Sequence, residues 1–182
     1  MIFDSIILKI FKMKSFILIL CFALMTVSCG SQIYLDPTTL STVVEKKEFD
    51  FNATRVFPTN YDVINVMNSM PGATSTRLLN LDPGYGFSLK KDLLSVALPY
   101  YGRAFTVNPG DTKGGLIFES KEFTVKPSTT KKGNTLFIIS TNDQRENYVF
   151  NLEIFKNGSA FLSVQSNNRQ PISFDGNISV AK

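Results

Sequence analysis

From Glu48 to the C-terminus, apolar residues recur mostly at every second position. Phe49, Phe51 and Ala53 alternate with Asp50, Asn52 and Thr54, and a period of two predicts a strand with one buried face. Upstream the period is helical. Leu40, Val43, Val44 and Lys47 share one side after Asp36-Pro37, an N-cap acid followed by a proline suited to the first turn. That spacing predicts a helix over Pro37 to Lys47, whose narrow apolar face packs on a sheet. Phe57 to Ala73 breaks both patterns, and Tyr61 to Asn68 within it reads equally as one helical turn or a long loop. Beyond it, strand and turn signals alternate. Strands are expected at Thr76–Leu81, Tyr85–Leu89, Leu93–Leu98, Ala104–Val107, Leu116–Glu119, Glu122–Lys126, Thr135–Thr141, Tyr148–Phe155, Ser159–Gln165 and Pro171–Val180.

The turns between them have their own chemistry. Asp82-Pro83-Gly84, Lys91-Asp92 and Asn108-Pro109-Gly110-Asp111 carry the residues tight turns require, and Pro127–Gly133 is a polar loop. Asn157-Gly158 predicts a two-residue type I′ hairpin with positive φ at both positions. Gly176 predicts a bulge in the last strand. Leu136–Ile139 is apolar on both faces and belongs in the middle of a sheet. About nine or ten short antiparallel strands with one N-terminal helix define a mainly β protein, either a β-sandwich or a partly open meander barrel.

The N-terminus has a different character. Lys12 and Lys14 precede an apolar run from Phe16 to Val27, followed by Ser28-Cys29-Gly30-Ser31. The run is shorter than the ~20 residues needed to span a bilayer, and a cationic segment, an apolar segment and small residues in that order make a signal peptide. Thr26-Val27-Ser28-Cys29 resembles a bacterial lipobox, with Thr26 where leucine is usual. The expected organisation is a signal peptide over 1–28, with Met13 as an alternative start, a tether over 29–36 and one β-rich domain over 37–182. Cys29 is then the site of lipidation. Its acyl chains, palmitate among them, anchor the protein in the outer membrane, and Gly30-Ser31-Gln32 lacks the acidic run of surface-directed lipoproteins, so the domain faces the periplasm.

Composition removes several chemistries. The 182 residues contain no His and two Cys, and both cysteines, Cys21 and Cys29, precede the folded domain. Ser-His-Asp and Cys-His machinery, histidine-containing zinc sites and a disulfide within the domain are therefore excluded. No metal or cofactor is expected. Cleavage removes Lys9, Lys12 and Lys14 with Asp4, which lowers 19 basic and 15 acidic residues to 16 and 14 and the charge from +4 to +2. The remaining charges are interspersed, so no nucleic-acid face is expected.

Among possible sites, Leu98-Pro99-Tyr100-Tyr101-Gly102-Arg103-Ala104 stands out. Pro99 ends a ladder, and extended backbone sends Tyr100 and Tyr101 to opposite faces, one inward and one toward Arg103, which stacks on it or binds an anion. The plain reading is a strand corner; the functional one is an aromatic rim with Tyr100, Tyr101 and Arg103 as binding residues. Other motifs are weaker. Ser88 and Lys91 have S-x-x-K spacing but lie where a strand meets a turn. Gly110–Gly115 lacks the G-K-[ST] ending of a phosphate loop. Asn52, Asn157 and Asn177 open glycosylation sequons that ordinary polar strand faces produce. The carboxylates are scattered through turns.

Taken together, Phe49-x-Phe51-x-Ala53, the Leu98–Ala104 motif, Gly114–Ser120 and Asn157–Ile178 resemble the domain of unknown function 4251 family of small bacterial lipoproteins. The resemblance covers about Glu45 to Lys182, with none of the pattern in Tyr61–Ala73. It implies a mostly β, secreted or membrane-anchored domain and no established activity. The expected function is a non-enzymatic, lipid-anchored envelope domain that binds a ligand or partner, whether lipid, glycan or envelope protein. The alternatives are a hydrolase of envelope glycan or peptide with paired carboxylates, and a structural subunit of an outer-membrane complex.

Overall fold

The computed structural model describes residues 32–70, 75–106 and 114–181. The chain divides into two units, Met1–Gln32 and Ile33–Lys182, and every element below belongs to the second. The signal peptide, the alternative start at Met13, Cys29 and the Asn108–Asp111 turn lie outside the described residues.

The helix α1 runs Pro37–Lys46. The Asp36 carboxylate accepts from the amides of Thr38 at 3.0 Å and Thr39 at 3.1 Å, and Lys47 at φ +56° ends it. Leu40 and Val43 are buried.

Nine strands follow: β1 Phe49–Pro58, β2 Gly86–Lys90, β3 Leu93–Pro99, β4 Gly115–Ser120, β5 Phe123–Thr129, β6 Thr135–Thr141, β7 Tyr148–Ile154, β8 Ser159–Ser166 and β9 Ile172–Val180. They form one antiparallel sheet in the order β4-β3-β2-β1-β9-β8-β7-β6-β5. Each strand pairs with its neighbours in sequence, and the first pairs with the last, from Phe49 opposite Val180 to Pro58 opposite Ile172. Only β4 and β5, two residues apart in sequence, share no ladder. Eight antiparallel steps separate them around the sheet, so they run in the same sense. They are two halves of one bent strand, the first half on β3 and the second on β6. The architecture is thus a meander barrel with one unladdered corner, the second of the two expected forms.

Asp143 holds that corner. Its carboxylate accepts from the Ser120 hydroxyl, from the Lys121 amide at 2.8 Å and from the Glu122 amide at 3.2 Å. The Ser120 hydroxyl chiefly, aided by those amides and Gln144, holds the carboxyl well below its ordinary range.

Phenylalanines fill the interior. Phe49 meets Phe137 across the barrel at 5.6 Å between centroids, Phe87 meets Phe150 at 6.0 Å, and Phe51 meets Phe87 at 5.4 Å. Such tilted pairs add to the gain from burying the rings. A bulge in β1 keeps this filling continuous. Thr54 is the extra residue opposite Asp175–Gly176. It moves the inward positions from Phe49, Phe51 and Ala53 to Val56, which is fully buried, and leaves Arg55 outside. The strand that bulges is β1; Gly176 on β9 is the residue opposite.

Two further helices follow β1, α2 at Tyr61–Ser69 and α3 at Ser75–Leu79. The expected strand Thr76–Leu81 is instead α3. One helical turn brings the adjacent Leu78 and Leu79 to the same side, where Leu79 is buried and Leu78 partly so; a strand sends one of them to water. Leu81 then returns to the sheet, its amide bonded to the Thr54 carbonyl at 2.9 Å.

Three other expectations change. Of the expected strand Ala104–Val107, the described residues Ala104–Thr106 form no strand but contribute a single bridge, Ala104 to Arg169. β5 runs through Pro127 to Thr129, because the far side of this strand has no partner and needs no amide. At Asn157-Gly158 only Gly158 has positive φ, +81°. The Phe155 carbonyl accepts from the Gly158 amide at 3.0 Å and the Phe155 amide donates to the Ser159 carbonyl at 2.9 Å, so the loop is one residue longer than a type I′ turn. β6, paired on both edges, faces inward through Phe137 and Ile139, while Leu136 and Ile138 are half-buried on the outer face.

The closing ladder gives a direct test. A Cβ at Gly176 lies 2.2 Å from the Asn52 carbonyl oxygen and 2.7 Å from the Phe51 ring. Gly176→Ala is expected to destabilise the domain by about 1–3 kcal/mol, the range for overpacking, while Thr124→Ala on exposed β5 leaves it unchanged. Urea unfolding measures both, and equal midpoints for Gly176→Ala and wild type would refute the close approach.

Candidate functional site

β1 carries the chain from the α1 end of the barrel to the opposite end. There α2, α3, the segment after β3 and the loops β6–β7 and β8–β9 gather. The Leu98–Ala104 motif lies among them.

Leu98 is buried on β3 and Pro99 ends the strand opposite Gly115. Tyr100 and Tyr101 are both half-buried, so neither is a core residue. The Tyr100 hydroxyl donates toward the carbonyls of Arg103 at 3.0 Å and Gln170 at 3.1 Å. That reach depends on Gly102, because a Cβ there lies 2.6 Å from the Tyr100 oxygen. The Arg103 amide donates to the Gln170 side chain at 3.2 Å, and the Gln170 amide to the Arg103 carbonyl at 3.1 Å. The motif is therefore laced to the β8–β9 loop by its backbone, and the Arg103 side chain is exposed.

The cation on Tyr100 is Arg169, with its guanidinium carbon 5.2 Å from the ring centroid. Arg169 pairs with Glu146, Nε to Oε2 at 3.0 Å. Glu146 also accepts from the hydroxyls of Tyr148 and Ser166, each at 3.0 Å, and from the Asn168 amide at 3.4 Å. Tyr148 stacks on Phe118 of β4 at 4.9 Å. Burial pushes the Glu146 carboxyl up, but the hydrogen bonds from Arg169, Tyr148 and Ser166 and the guanidinium charge outweigh it and hold it below the ordinary value. Arg169 is held above its ordinary value, its burial outweighed by Glu146. The carboxylate's acceptor sites are occupied, and its charge is neutralised. This cluster ties three loops to the barrel mouth. Sequence reading missed it because Glu146 and Arg169 lie 23 residues apart in separate loops; the faint signal is an acid just before β7 and an arginine just after β8, flanking one hairpin.

Beside this clasp is a groove. Tyr101 forms one wall; Val63, Val66, Met67 and Met70 of and just after α2, with Leu78 of α3, form the others, and Asp62 is the polar group on its lining. It encloses about 450 Å³, within the ordinary range of ligand pockets. Val66 and Met70 are 56% and 47% exposed, so the groove is open to water. Burial raises the Tyr101 phenol, with a smaller push from Tyr85. Arg103 follows Tyr101 by two residues and Arg77 precedes Leu78; both are exposed. The structure thus separates the three candidates. Tyr100 joins the clasp, Tyr101 the groove, and Arg103 the solvent side.

Ser88 faces outward on β2 and Lys91 is in the exposed β2–β3 turn. Among the described residues no group of three or more His, Cys, Asp or Glu side chains is placed to hold a metal ion, and no helix is long and apolar enough to cross a membrane.

A meander β-barrel with a helix at one end and an apolar groove at the other is the class of protein these features define. The family described as "Domain of unknown function (DUF4251)" matches residues 35–178, and the chain belongs to it. The match begins ten residues before Glu45 and includes α2. A solved structure, the crystal structure of a DUF4251 family protein from Bacteroides eggerthii DSM 20697, is 16% identical, covers 79% of this chain and 87% of its own, and has a TM-score of 0.49. No curated protein matches this chain.

Removing the cation tests the clasp. Arg169→Leu leaves Glu146 buried and unpaired, which costs about 3–5 kcal/mol at neutral pH. A carboxyl held below its ordinary value stabilises the fold above that value and loses this contribution as pH falls through its folded-state pKa. In Arg169→Leu the sign reverses, because the stranded carboxyl takes up a proton more readily than an unfolded one. Thermal unfolding of both proteins between pH 7 and pH 4 checks this: the gap narrows in acid, and a gap that stays constant refutes the clasp.

Proposed function

We propose that this chain is a lipid-anchored protein of the bacterial envelope, non-enzymatic, whose barrel holds a single-chain anionic amphiphile, a fatty acid in chemical class, in the α2–Tyr101 groove. The groove carries the reading. Its walls are Val, Met, Leu and Tyr, with Asp62 of the first α2 turn as the one charged residue on the lining; they reward burial of hydrocarbon but give a peptide backbone no ladder. Its methionines adapt to chains of varied shape. Arg77, beside Leu78 in sequence, and Arg103, two residues after Tyr101, are exposed and supply cations for an acidic head.

The anchor rests on Cys29 and its apolar leader. Several acyl chains give the stable attachment that one chain alone does not. The outer membrane, with the domain in the periplasm, is the location this reading supports.

Two measurements test it. Cys29→Ser is expected to move the protein from the membrane fraction to the soluble fraction; a variant that remains in the membrane refutes the anchor. Native mass spectrometry of the protein extracted from its own cells is expected to find a fatty-acid-sized adduct. Val66→Asp removes the adduct while leaving thermal stability within a degree or two, since Val66 is exposed. An adduct that survives this charge in the groove, or a bound peptide in its place, overturns the amphiphile reading.

A further inference from the structure

The described lysines and arginines are segregated along the barrel. Arg55, Arg77, Arg103, Arg145 and Arg169 lie on the upper part of β1 or on the loops and helices of the groove end. Lysines collect at the other end. Lys46 and Lys47 close α1, Lys90 and Lys91 form the β2–β3 turn, Lys131 and Lys132 the β5–β6 turn, and Lys156 the β7–β8 hairpin; all are exposed. Register places these turns together, because Leu89, next to Lys90, pairs with Phe49, and Phe49 pairs with Val180. Lys156, Gly133 and α1 line one hollow, and Lys46 and Val180 another. Asp36, Glu45, Glu48, Asp92 and Glu153 lie among them, but Asp36 is turned to its own helix and Glu153 to Asn134 at 2.8 Å. Only Lys121 and Lys126, on and beside the bent strand, fall outside this ring.

The chain also enters at this end. The Tyr34 amide donates to the Asn157 carbonyl at 2.9 Å, which fixes the entry beside Lys156. Ile33 and Tyr34 are 69% and 42% exposed there. Four residues separate Cys29 from Tyr34, a span of at most ~18 Å when fully extended.

We propose that the α1 end of the barrel is a docking face for anionic phospholipid headgroups, seated on the bilayer by its lysine ring with Ile33 and Tyr34 in the interface. This rests on the lipid anchor at Cys29 proposed above. Three features fit the occupant. The tether is too short to let this end wander far from the bilayer. Lysine ammonium groups are attracted to anionic headgroups within a Debye length of the surface. An exposed isoleucine and tyrosine at the chain entry suit the headgroup boundary. The amphiphile groove, at the opposite end of β1, then faces away from the membrane that holds the anchor.

Lysine acylation in native membranes tests the docking face on the lipidated protein. Membranes and detergent-solubilised protein are treated with an acetylating active ester, and each lysine is quantified by peptide mass mapping. Lys46, Lys47, Lys131, Lys132 and Lys156 are expected to react several-fold more slowly in membranes than in detergent, and Lys121 equally in both. The Lys131→Glu/Lys132→Glu/Lys156→Glu variant, altered only on exposed turns, should stay in the membrane fraction and lose the protection of Lys46 and Lys47. Membrane-bound protein whose lysines react as fast as in detergent overturns the docking face and leaves the anchor standing. Protein found only in the soluble fraction overturns both. Reconstitution into phosphatidylcholine vesicles with and without phosphatidylglycerol separates the sources of protection. Protection that needs phosphatidylglycerol supports headgroup docking; protection in cell membranes but in neither vesicle means a protein covers this end and overturns it.

Discussion

The pairing of the first strand with the last is the interaction on which the rest of the structure depends. β1 and β9 share nine registered positions, Phe49–Val180 through Pro58–Ile172. Without that ladder, β1–β4 and β5–β9 are two open meanders, each with exposed edges that invite association with other chains. With it, the inward phenylalanines of both meanders meet, and Phe49 packs on Phe137 and Phe87 on Phe150. The ladder is also the most non-local contact in the fold, which makes closure a slow step relative to the hairpins. Its antiparallel sense brings both ends of the domain out on the same side. The opposite side is left entirely to loops and short helices.

A closed meander needs irregularities to close, and each has a residue behind it. Thr54 inserts into β1 so that Val56, not Arg55, meets the core. Gly176 opposite it permits the approach of the Asn52 carbonyl and the Phe51 ring. At the β4–β5 corner the ladder stops and a carboxylate replaces it: Asp143 gathers Ser120, Lys121 and Glu122 as a neighbouring strand would. One bent strand thereby belongs to both margins of the sheet, and β5 tolerates Pro127 because its outer side has no partner to satisfy.

The two ends have different chemistry. At the groove end a buried ion pair, Glu146 with Arg169, joins the β6–β7 loop to the β8–β9 loop, and Arg169 covers Tyr100. A buried pair is by itself weak evidence of net stability; this one joins two loops beside Tyr100, and the next residue, Tyr101, lines the groove. At the α1 end lysines surround the point where the chain enters.

Local patterns in the sequence determined a good part of this. Asp36-Pro37 set the start of α1, period-two alternation placed all nine strands within a few residues, and the absence of histidine removed whole classes of chemistry, because each depends only on neighbours along the chain or on composition. The resemblance to the DUF4251 family rested on such local motifs as well, and the chain belongs to that family. Tertiary structure decided what depends on distant partners. Leu78-Leu79 became helical because a nearby core rewards two adjacent leucines on one side. Asn157-Gly158 took a longer turn because the hydrogen bonds of Phe155 set the loop. Arg169, not Arg103, became the cation on Tyr100, since a cation–ring contact is made by whichever guanidinium the fold brings over the ring. The sequence determined that Leu98–Ala104 ends a strand in a corner; only the folded barrel assigned one of its tyrosines to a clasp and the other to a groove.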